Sequence, residues 1–365
     1  MKYKSIALIL SDLSIIGGIQ RTTIYTAKAL IEAGYDVNII TSLINKLTFQ
    51  AIHENINHIE KLKITKITLP SVFNFSPTTV SYIYKFLNLD KLMKKYLVIN
   101  MHGDVQSIDA HLVYFHQFNI DYHFYSGDLI QKIRIMPLYL IRKKFIIKLR
   151  ENQIPILVNS RWTFIEAQKF WNLKNVHILY PPAVSDKPYM PMTWSKRDDM
   201  VITITRFSPD RGLEYIYKLA EELPWVKFII AGYVQNKDYF LLLLSKKPKN
   251  VLLCPNITER EKYELLSKGK VYLNPTPHIE GFGIAIIEGM MMGLIPVANN
   301  RGGVLDYVPT QYQFRNFEET KEIIIKALKD WTPELGEEMR AIANNFSYHR
   351  YKQDLLRILN KYYNL

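Results

Sequence analysis

The sequence predicts an α/β protein made of two doubly wound domains that face a cleft. Three observations carry this expectation. Short aliphatic runs alternate with helix-periodic segments along the chain, the pattern of a parallel sheet covered on both faces. The alternation breaks at 181–199 (PPAVSDKPYMPMTWSKRDD), where four prolines and few aliphatics mark a linker, and then resumes. A chain of 365 residues also has the length of about two domains.

Taken in order, residues 5–10 (SIALIL) read as a buried strand that opens into a turn at Gly17-Gly18. Gln20 to Ala33 has apolar residues at helical spacing, Gly34 caps it, and Val37 to Thr41 is the next strand. Leu97-Val98-Ile99, Leu112 to Phe115 and Ile156-Leu157-Val158 repeat the strand theme. After the linker, Val201 to Thr205 is a strand, Leu213 to Glu222 a helix, and Phe228 to Ala231 a strand closed by Gly232. Val251 to Cys254, Val271 to Leu273 and Ile295 to Ala298 are further strands, with a short helix over Ile284 to Met292. The chain closes in helices, with Ser347 placed as an N-cap. The expected boundaries are 1–185 for the first domain, 186–199 for the linker and 200–345 for the second domain. A helix over 346–365 returns toward the first domain. Folds of this kind bind ligands at the C-terminal edges of their strands.

Composition narrows the function classes. Apolar residues make up 48% and charged residues 22%, which excludes a disordered or collagenous chain. The single cysteine, Cys254, excludes an intramolecular disulfide and a cysteine zinc cluster, and fits a reducing, cytoplasmic compartment. The net charge of +13 is uneven: residues 1–190 hold 23 Lys/Arg against 13 Asp/Glu, and residues 191–365 hold 24 against 21. Such a field favours anionic partners. No segment has the form of a signal peptide or a membrane span. The uncharged stretch 67–84 contains Pro70, Pro77 and many polar residues.

The stretch 274–307 carries the most chemistry. Glu280 and Glu288 are eight positions apart, separated by Gly281-Phe282-Gly283 and the first turn of a helix at Ile284. Backbone N–H groups in such a turn can cradle an anion. A carboxylate among Ile286, Ile287 and Met290 needs a partner, and a ribose diol would supply two hydroxyl donors. Two unrelated surface glutamates are the bland alternative. A second candidate site is Thr205-Arg206-Phe207-Ser208-Pro209-Asp210-Arg211-Gly212, between strand and helix. Two guanidinium groups there can stabilise a departing diphosphate. The sequence has no Asp-x-Asp motif, so no metal or resident cofactor is expected. Gly17-Gly18 allows close approach of a phosphate or is a plain tight turn. His116 falls at a strand end, with His102 and His111 as nearby competitors.

These motifs together resemble the retaining GT-B glycosyltransferases of family 4, the glycosyl transferases group 1, in which two Rossmann-like domains face a cleft. Glu280-Gly281-Phe282-Gly283, Glu288, Gly293, Pro296-Val297 and Gly302-Gly303 match that family's mark. The resemblance implies that Glu288 holds the nucleotide ribose and that Glu280 contacts the donor sugar. Gly281, Phe282, Gly283 and Ile284 would line the donor site. Arg206 and Arg211 would bind the donor diphosphate, with Arg211 standing where the family has Lys and Thr205 where it has Gly. Gly17 and Gly18 would face the same diphosphate, His116 would contact the donor sugar, and the segment after Cys254, including Ile257, would meet the base. The family helix reads E-A-M-A, whereas this chain has Glu288-Gly289-Met290-Met291. Asn159-Ser160-Arg161-Trp162-Thr163 and Tyr180-Pro181-Pro182 extend the likeness to mannosyltransferases of lipid-linked oligosaccharide synthesis, with Phe118 in place of their proline.

The implied activity is hexosyl transfer from a nucleotide sugar, GDP-mannose or a UDP-sugar, to a glycan or lipid-linked acceptor, with the nucleotide sugar a substrate and no cofactor. A GT-B-like sugar-nucleotide isomerase and a non-catalytic nucleic-acid or membrane-binding protein are the alternatives. No nucleic-acid module is recognisable. Residues 132–150 hold seven basic residues among aliphatics. From Leu138, with Pro137 near its start, they read either as a basic amphipathic helix on an acidic membrane or as a core helix with a solvated basic face. The expected location is cytoplasmic, at most peripheral on the cytoplasmic membrane face.

Overall fold

A computed structural model describes residues 3–14, 17–67, 89–104, 106–126, 128–184 and 197–364. The uncharged stretch from 68 on and linker positions 186–196 lie outside the described residues. The chain divides into two units. One comprises Met1–Pro181 with His349–Leu365, and the other Pro182–Tyr348.

The first unit is built on seven parallel strands: β1 (Ser5–Ile9), β2 (Asp36–Thr41), β3 (Leu62–Lys66), β4 (Leu97–Asn100), β5 (Leu112–Phe115), β6 (Ile156–Val158) and β7 (Val176–Ile178). Their spatial order is β3-β2-β1-β4-β5-β6-β7, which reverses direction between β1 and β4. The continuous aliphatic runs of β1, β4 and β5 are buried on both faces, as a sheet covered on two sides requires. Ala7, Ile9, Val98, Val113 and Phe115 pack with Phe145, Ile146 and Leu149 of the helix Leu129–Glu151. The helix Tyr348–Tyr363 enters this unit from His349 on. Tyr351 donates its hydroxyl to Thr26 at 2.6 Å, since the Thr26 hydroxyl is itself spent on the Thr22 carbonyl. Lys352 pairs with Glu32 and Tyr362 bonds His177.

The second unit repeats the plan with β8 (Asp198–Ile204), β9 (Lys227–Gly232), β10 (Val251–Pro255), β11 (Gly269–Asn274), β12 (Ile295–Asn299) and β13 (Gln313–Phe314). Their order is β10-β9-β8-β11-β12-β13, all parallel, with the reversal between β8 and β11. The helix Leu213–Glu222 lies where its periodicity places it.

Three boundaries differ from the sequence expectation. Ala183 and Val184 donate backbone hydrogen bonds to the Phe346 carbonyl, so 182–184 belong to the second unit rather than the first. Asp198 is already paired with Gly269 in β8, which shortens the linker at its far end. The neighbouring Arg197 is buried and donates to the carbonyls of Leu266, Gly269 and Met292, and this fixes the strand's start. The basic helix begins at Leu129, so Pro137 stands inside it rather than near its start. A proline there removes one backbone donor and leaves the rest of the helix intact on both sides.

Candidate functional site

In open α/β sheets the strand order reverses at a point where two loops diverge and leave a crevice. In the second unit those loops follow β8 and β11. They are the segments 205–212 and 275–283, which carry Arg206, Arg211, Glu280, Gly281, Phe282 and Gly283.

The loop after β8 is a single turn, Pro209–Arg211, followed by Gly212 at φ 66° and the helix Leu213–Glu222. A Cβ on Gly212 would stand 2.9 Å from Pro277, so glycine is required both for its backbone and for the contact. Asp210 gathers the turn. Arg206 Nη2 lies 2.7 Å from its Oδ2 and Arg211 Nε 3.2 Å from the same oxygen, while Ser208 donates to Oδ1. Burial alone would push the Asp210 carboxyl up. The Ser208 hydroxyl and the two guanidinium groups outweigh it and hold the carboxyl down at about 2. Arg211 Nη1 is 3.9 Å from Glu280 Oε2. The structure therefore brings Arg206, Arg211 and Glu280 together, and adds Asp210 and Ser208, which sequence reasoning did not single out. Burial raises the Glu280 carboxyl, against Arg211, the Asn274 side chain and Arg206.

The loop after β11 owes its shape to Gly302-Gly303. Gly303 N–H donates to the Glu280 carbonyl at 2.8 Å, and Glu280 and Gly302 form an isolated parallel bridge. A Cβ on Gly302 would meet the Glu280 carbonyl oxygen at 2.2 Å, and one on Gly303 the Gly281 carbonyl oxygen at 2.0 Å. The second glycine pair thus lets two loop backbones lie against each other. Gly283, at φ 89°, caps the helix Ile284–Met291. Tyr307 donates to the carbonyls of Phe282 and Gly283, and the Phe282 ring lies buried edge-on against Tyr307 and Phe346.

Glu288 is buried on that helix, which leaves it in need of the partner the sequence demanded. The partner present is Lys262, whose ammonium is 2.8 Å from Oε1, and Tyr263 donates to the same oxygen at 3.2 Å. Lys262 is also buried, and its second ion pair is with Glu259 at 2.9 Å. Both residues come from the helix Glu259–Leu266, started by the N-cap Thr258 and its capping box with Glu261. Ile257 directly precedes that cap and follows Asn256, whose N–H donates to the Gly232 carbonyl at 2.6 Å. Sequence reasoning missed Lys262. The signal was there: a lysine one turn into a helix that follows the base-contacting segment. The departure at Gly289 also has a cause. A Cβ there would stand 2.6 Å from the ring of Tyr272, which packs across the helix and donates to the Ile204 carbonyl.

In the first unit, Gly17 is the N-cap of the helix Gly18–Glu32. Its N–H donates to the side-chain oxygen of Gln20 at 3.2 Å, and Gln20 in turn donates to the Asp12 carbonyl. Gly17 has φ −107°, so the turn does not require glycine for its backbone angle. Both glycines are exposed.

His116 follows β5 and is buried. Its Nε2 lies 3.0 Å from the Met101 carbonyl, which can only accept, so Nε2 carries the proton and Nδ1 is an acceptor. Burial lowers His116 to about 4 despite that bond, and His102 to about 3 with help from His116 and Arg142. The Asp104 carboxylate clamps the turn, accepting from His116 N–H at 2.6 Å and Gln117 N–H at 2.9 Å. Arg142, 2% exposed, holds the loop from behind by donating to the Gly103 and Asp104 carbonyls and to Asp121. Its guanidinium lies over the rings of Phe115 and Phe118 at 5.3 and 5.2 Å. Two expectations change here. Arg142 is not on a basic face, and Phe118, which departs from the proline of the resemblance, is a seat for that arginine. Asn159-Ser160 with Thr163 is a capping motif: Ser160 caps the helix Arg161–Trp171, and Thr163 donates to Asn159 and reaches the His116 carbonyl at 3.4 Å. His111 instead bonds Tyr3 and the Val98 N–H, away from this turn.

Two parallel sheets, each with a reversal point, give the chain the GT-B fold. Comparison with solved structures agrees on the fold. WaaG, a glycosyltransferase involved in lipopolysaccharide biosynthesis, superposes with a TM-score of 0.70 at 14% identity over 97% of this chain and 98% of that one. HepE of Anabaena, in complex with UDP and glucose, gives 0.70 at 15% identity over 98% and 99%. Residues 192–346, somewhat under half of the chain, match the family model Glycosyl transferases group 1. Among similar sequences is the GDP-Man:Man(3)GlcNAc(2)-PP-Dol alpha-1,2-mannosyltransferase of Dictyostelium discoideum, 26% identical over 235 residues, 56% of this chain and 46% of that protein. The Xenopus tropicalis protein of the same description is 29% identical over 167 residues, 40% of this chain and 34% of its own length. The matches thus span less than half of either relative. Among the described residues no helix is long and apolar enough to cross a membrane.

Proposed function

We propose that this chain transfers a hexosyl group from a nucleotide sugar to a glycan or lipid-linked acceptor, with retention of anomeric configuration, as a family 4 enzyme. The observation that carries this reading is the meeting of Arg206, Arg211 and Glu280 at the reversal point of the second sheet, with Glu288 on the helix that Gly283 opens. Negative charge grows on the leaving diphosphate, and two guanidinium groups already fixed by Asp210 meet it with little reorganisation. Glu280 would accept hydroxyls of the donor sugar. Glu288 would hold the ribose, and the segment at Ile257 the base. The acceptor hydroxyl attacks beside the leaving group, and catalysis is chiefly positional and electrostatic. The reading needs no resident cofactor or metal.

The first unit would take the acceptor. Gly17 and Gly18 open a helix whose N–H groups suit a phosphate, and His116, neutral at physiological pH, would offer Nδ1 to a sugar hydroxyl. GDP-mannose is the leading donor, supported by relatives named GDP-Man-dependent mannosyltransferases. A cytoplasmic location, peripheral to an acidic membrane through 132–150, belongs to the same reading. Calorimetry with GDP, UDP and ADP tests it. Binding of one nucleoside diphosphate, lost in Glu288→Ala, is the expected result. Arg206→Ala should lower the transfer rate by about an order of magnitude or more. Unchanged turnover at saturating donor would remove Arg206 from the mechanism, and product formed without acceptor would identify an isomerase.

A further inference from the structure

The helix Leu129–Glu151 is two different objects along its length. Tyr139, Phe145, Ile146 and Leu149 bury one side of its C-terminal part in the first unit's core. Its N-terminal part shows large apolar side chains to solvent: Leu129 is 73% exposed, Ile130 76% and Ile133 64%, with Met136 and Leu140 also exposed. Positions 129, 133, 136 and 140 step by four, three and four residues, so they lie in one stripe. Isolated exposed leucines are ordinary, but a contiguous stripe of this kind marks an interaction surface. Beyond Leu140 the same rows run into Lys143, Lys144 and Lys148, all exposed.

The charge pattern selects the partner. Residues 129–150 contain seven Lys or Arg and no Asp or Glu. A second copy packed on this stripe would set two such helices against each other, and like charges across an interface are costly. An acidic bilayer satisfies both halves of the helix: apolar residues enter the acyl boundary while lysines remain at the anionic headgroups. Arg134, exposed on the inserting part, can extend its charge outward along its own aliphatic stem. We infer that the stripe Leu129, Ile130, Ile133, Met136 and Leu140, with Lys143 and Lys144 behind it, is a docking surface for an anionic lipid bilayer. The inserting element is thus the apolar N-terminal half, which lies ahead of the segment in which sequence reasoning sought amphipathicity. This surface rests on the membrane attachment proposed above and names the side chains that make it, while the transfer site is read by a separate measurement.

The test is co-sedimentation of the full chain with phosphatidylcholine vesicles, with and without phosphatidylglycerol. Partition onto the anionic vesicles alone is expected. Ile130→Ser with Ile133→Ser and Leu140→Ser should reduce it by about tenfold or more, as should Lys143→Glu with Lys144→Glu. The replaced apolar side chains are exposed, so the serine variant should keep the parent melting temperature and nucleotide affinity. An Ile133→Trp variant should shift its fluorescence to the blue with anionic vesicles only. Equal partition of the serine variant and its parent, or a parent that stays in the supernatant, overturns the proposal. So does a concentration-dependent dimer that the serine variant abolishes, which would give the stripe to a second copy. Nucleotide calorimetry without vesicles reads the transfer site separately, so either result can fail alone.

Discussion

Lys262 and Glu288 form a buried ion pair, with the ammonium 2.8 Å from the carboxylate oxygen that also accepts from Tyr263. A nucleotide ribose meeting Glu288 would therefore meet a carboxylate whose orientation Lys262 has already set. Removing one member of such a pair leaves the other desolvated and typically costs about 3–5 kcal/mol. Lys262→Met should lower the melting temperature and weaken nucleoside diphosphate binding. Glu259→Gln, which touches only the exposed end of the network, should do neither to a comparable degree. In a double-mutant cycle on binding, Lys262→Met and Glu288→Gln should couple by about 0.5–3 kcal/mol. Strict additivity would mean that the two act independently.

Gly302 and Gly303 support the acidic loop from outside it. An alanine at 303 would place a Cβ 2.0 Å from the Gly281 carbonyl oxygen, and no flexible side chain is there to yield. The backbone around Glu280 must then shift. Gly303→Ala should lower turnover by about tenfold or more, because misplacement by an ångström is costly in a positional mechanism. Far-ultraviolet circular dichroism should show the fold retained. A variant with parental kinetics would show that the loop does not need this contact.

Gly289 and Tyr272 should be exchangeable only together. The ring lies where an alanine Cβ would go, at 2.6 Å. Gly289→Ala alone should therefore cost about 1–3 kcal/mol by overpacking. Combined with Tyr272→Val, which vacates the space, the alanine should cost less than it does in the parent background. Thermal melts of the four proteins measure this, and an equal cost in both backgrounds would disconnect the two positions.

The turn at His116 predicts a pH dependence of stability. His116 and His102 titrate at about 4 and about 3 in the fold, below the unfolded value of roughly 6.5. As pH falls from 6.5 toward 4, the unfolded chain takes up protons that the native turn refuses, so stability falls. Asp104 opposes this. Burial raises it to about 7, against Arg142 and the N–H groups it accepts from. Between roughly pH 4 and 7 the native state then keeps a proton the unfolded state has lost, which lowers stability as pH rises. His116→Asn should flatten the gain in melting temperature between pH 4 and 6.5, and Asp104→Asn should steepen it. Parallel melting curves for all three proteins would show that neither group is linked to folding.

The strands and the acidic motif were legible in the sequence for a common reason. β4, β5 and β6 are short aliphatic runs buried on both faces, and Glu280, Gly283 and Glu288 are local in the chain. What stayed hidden was non-local. Arg142 looked like one of seven solvated cations because its partners, Asp121 and the Gly103 carbonyl, are far away in sequence. Lys262 had no visible role in the sequence because its partner Glu288 stands 26 residues away. The role of Gly302-Gly303 was visible as a motif, but its physical cause, contact with the Glu280 backbone, was not.

The first unit is discontinuous, and this bears on how the chain is made. It leaves that unit at Pro181 and returns at His349. On the ribosome, Thr26, Glu32 and His177 must wait for their partners Tyr351, Lys352 and Tyr362 until the whole second unit has been synthesised. At about 5–20 residues per second the wait is on the order of ten to thirty seconds. The second unit, contiguous in sequence, is free to complete its sheet first. Nascent chains stalled before residue 349 should thus be protease-resistant over 197–348 while the earlier residues are still cleaved.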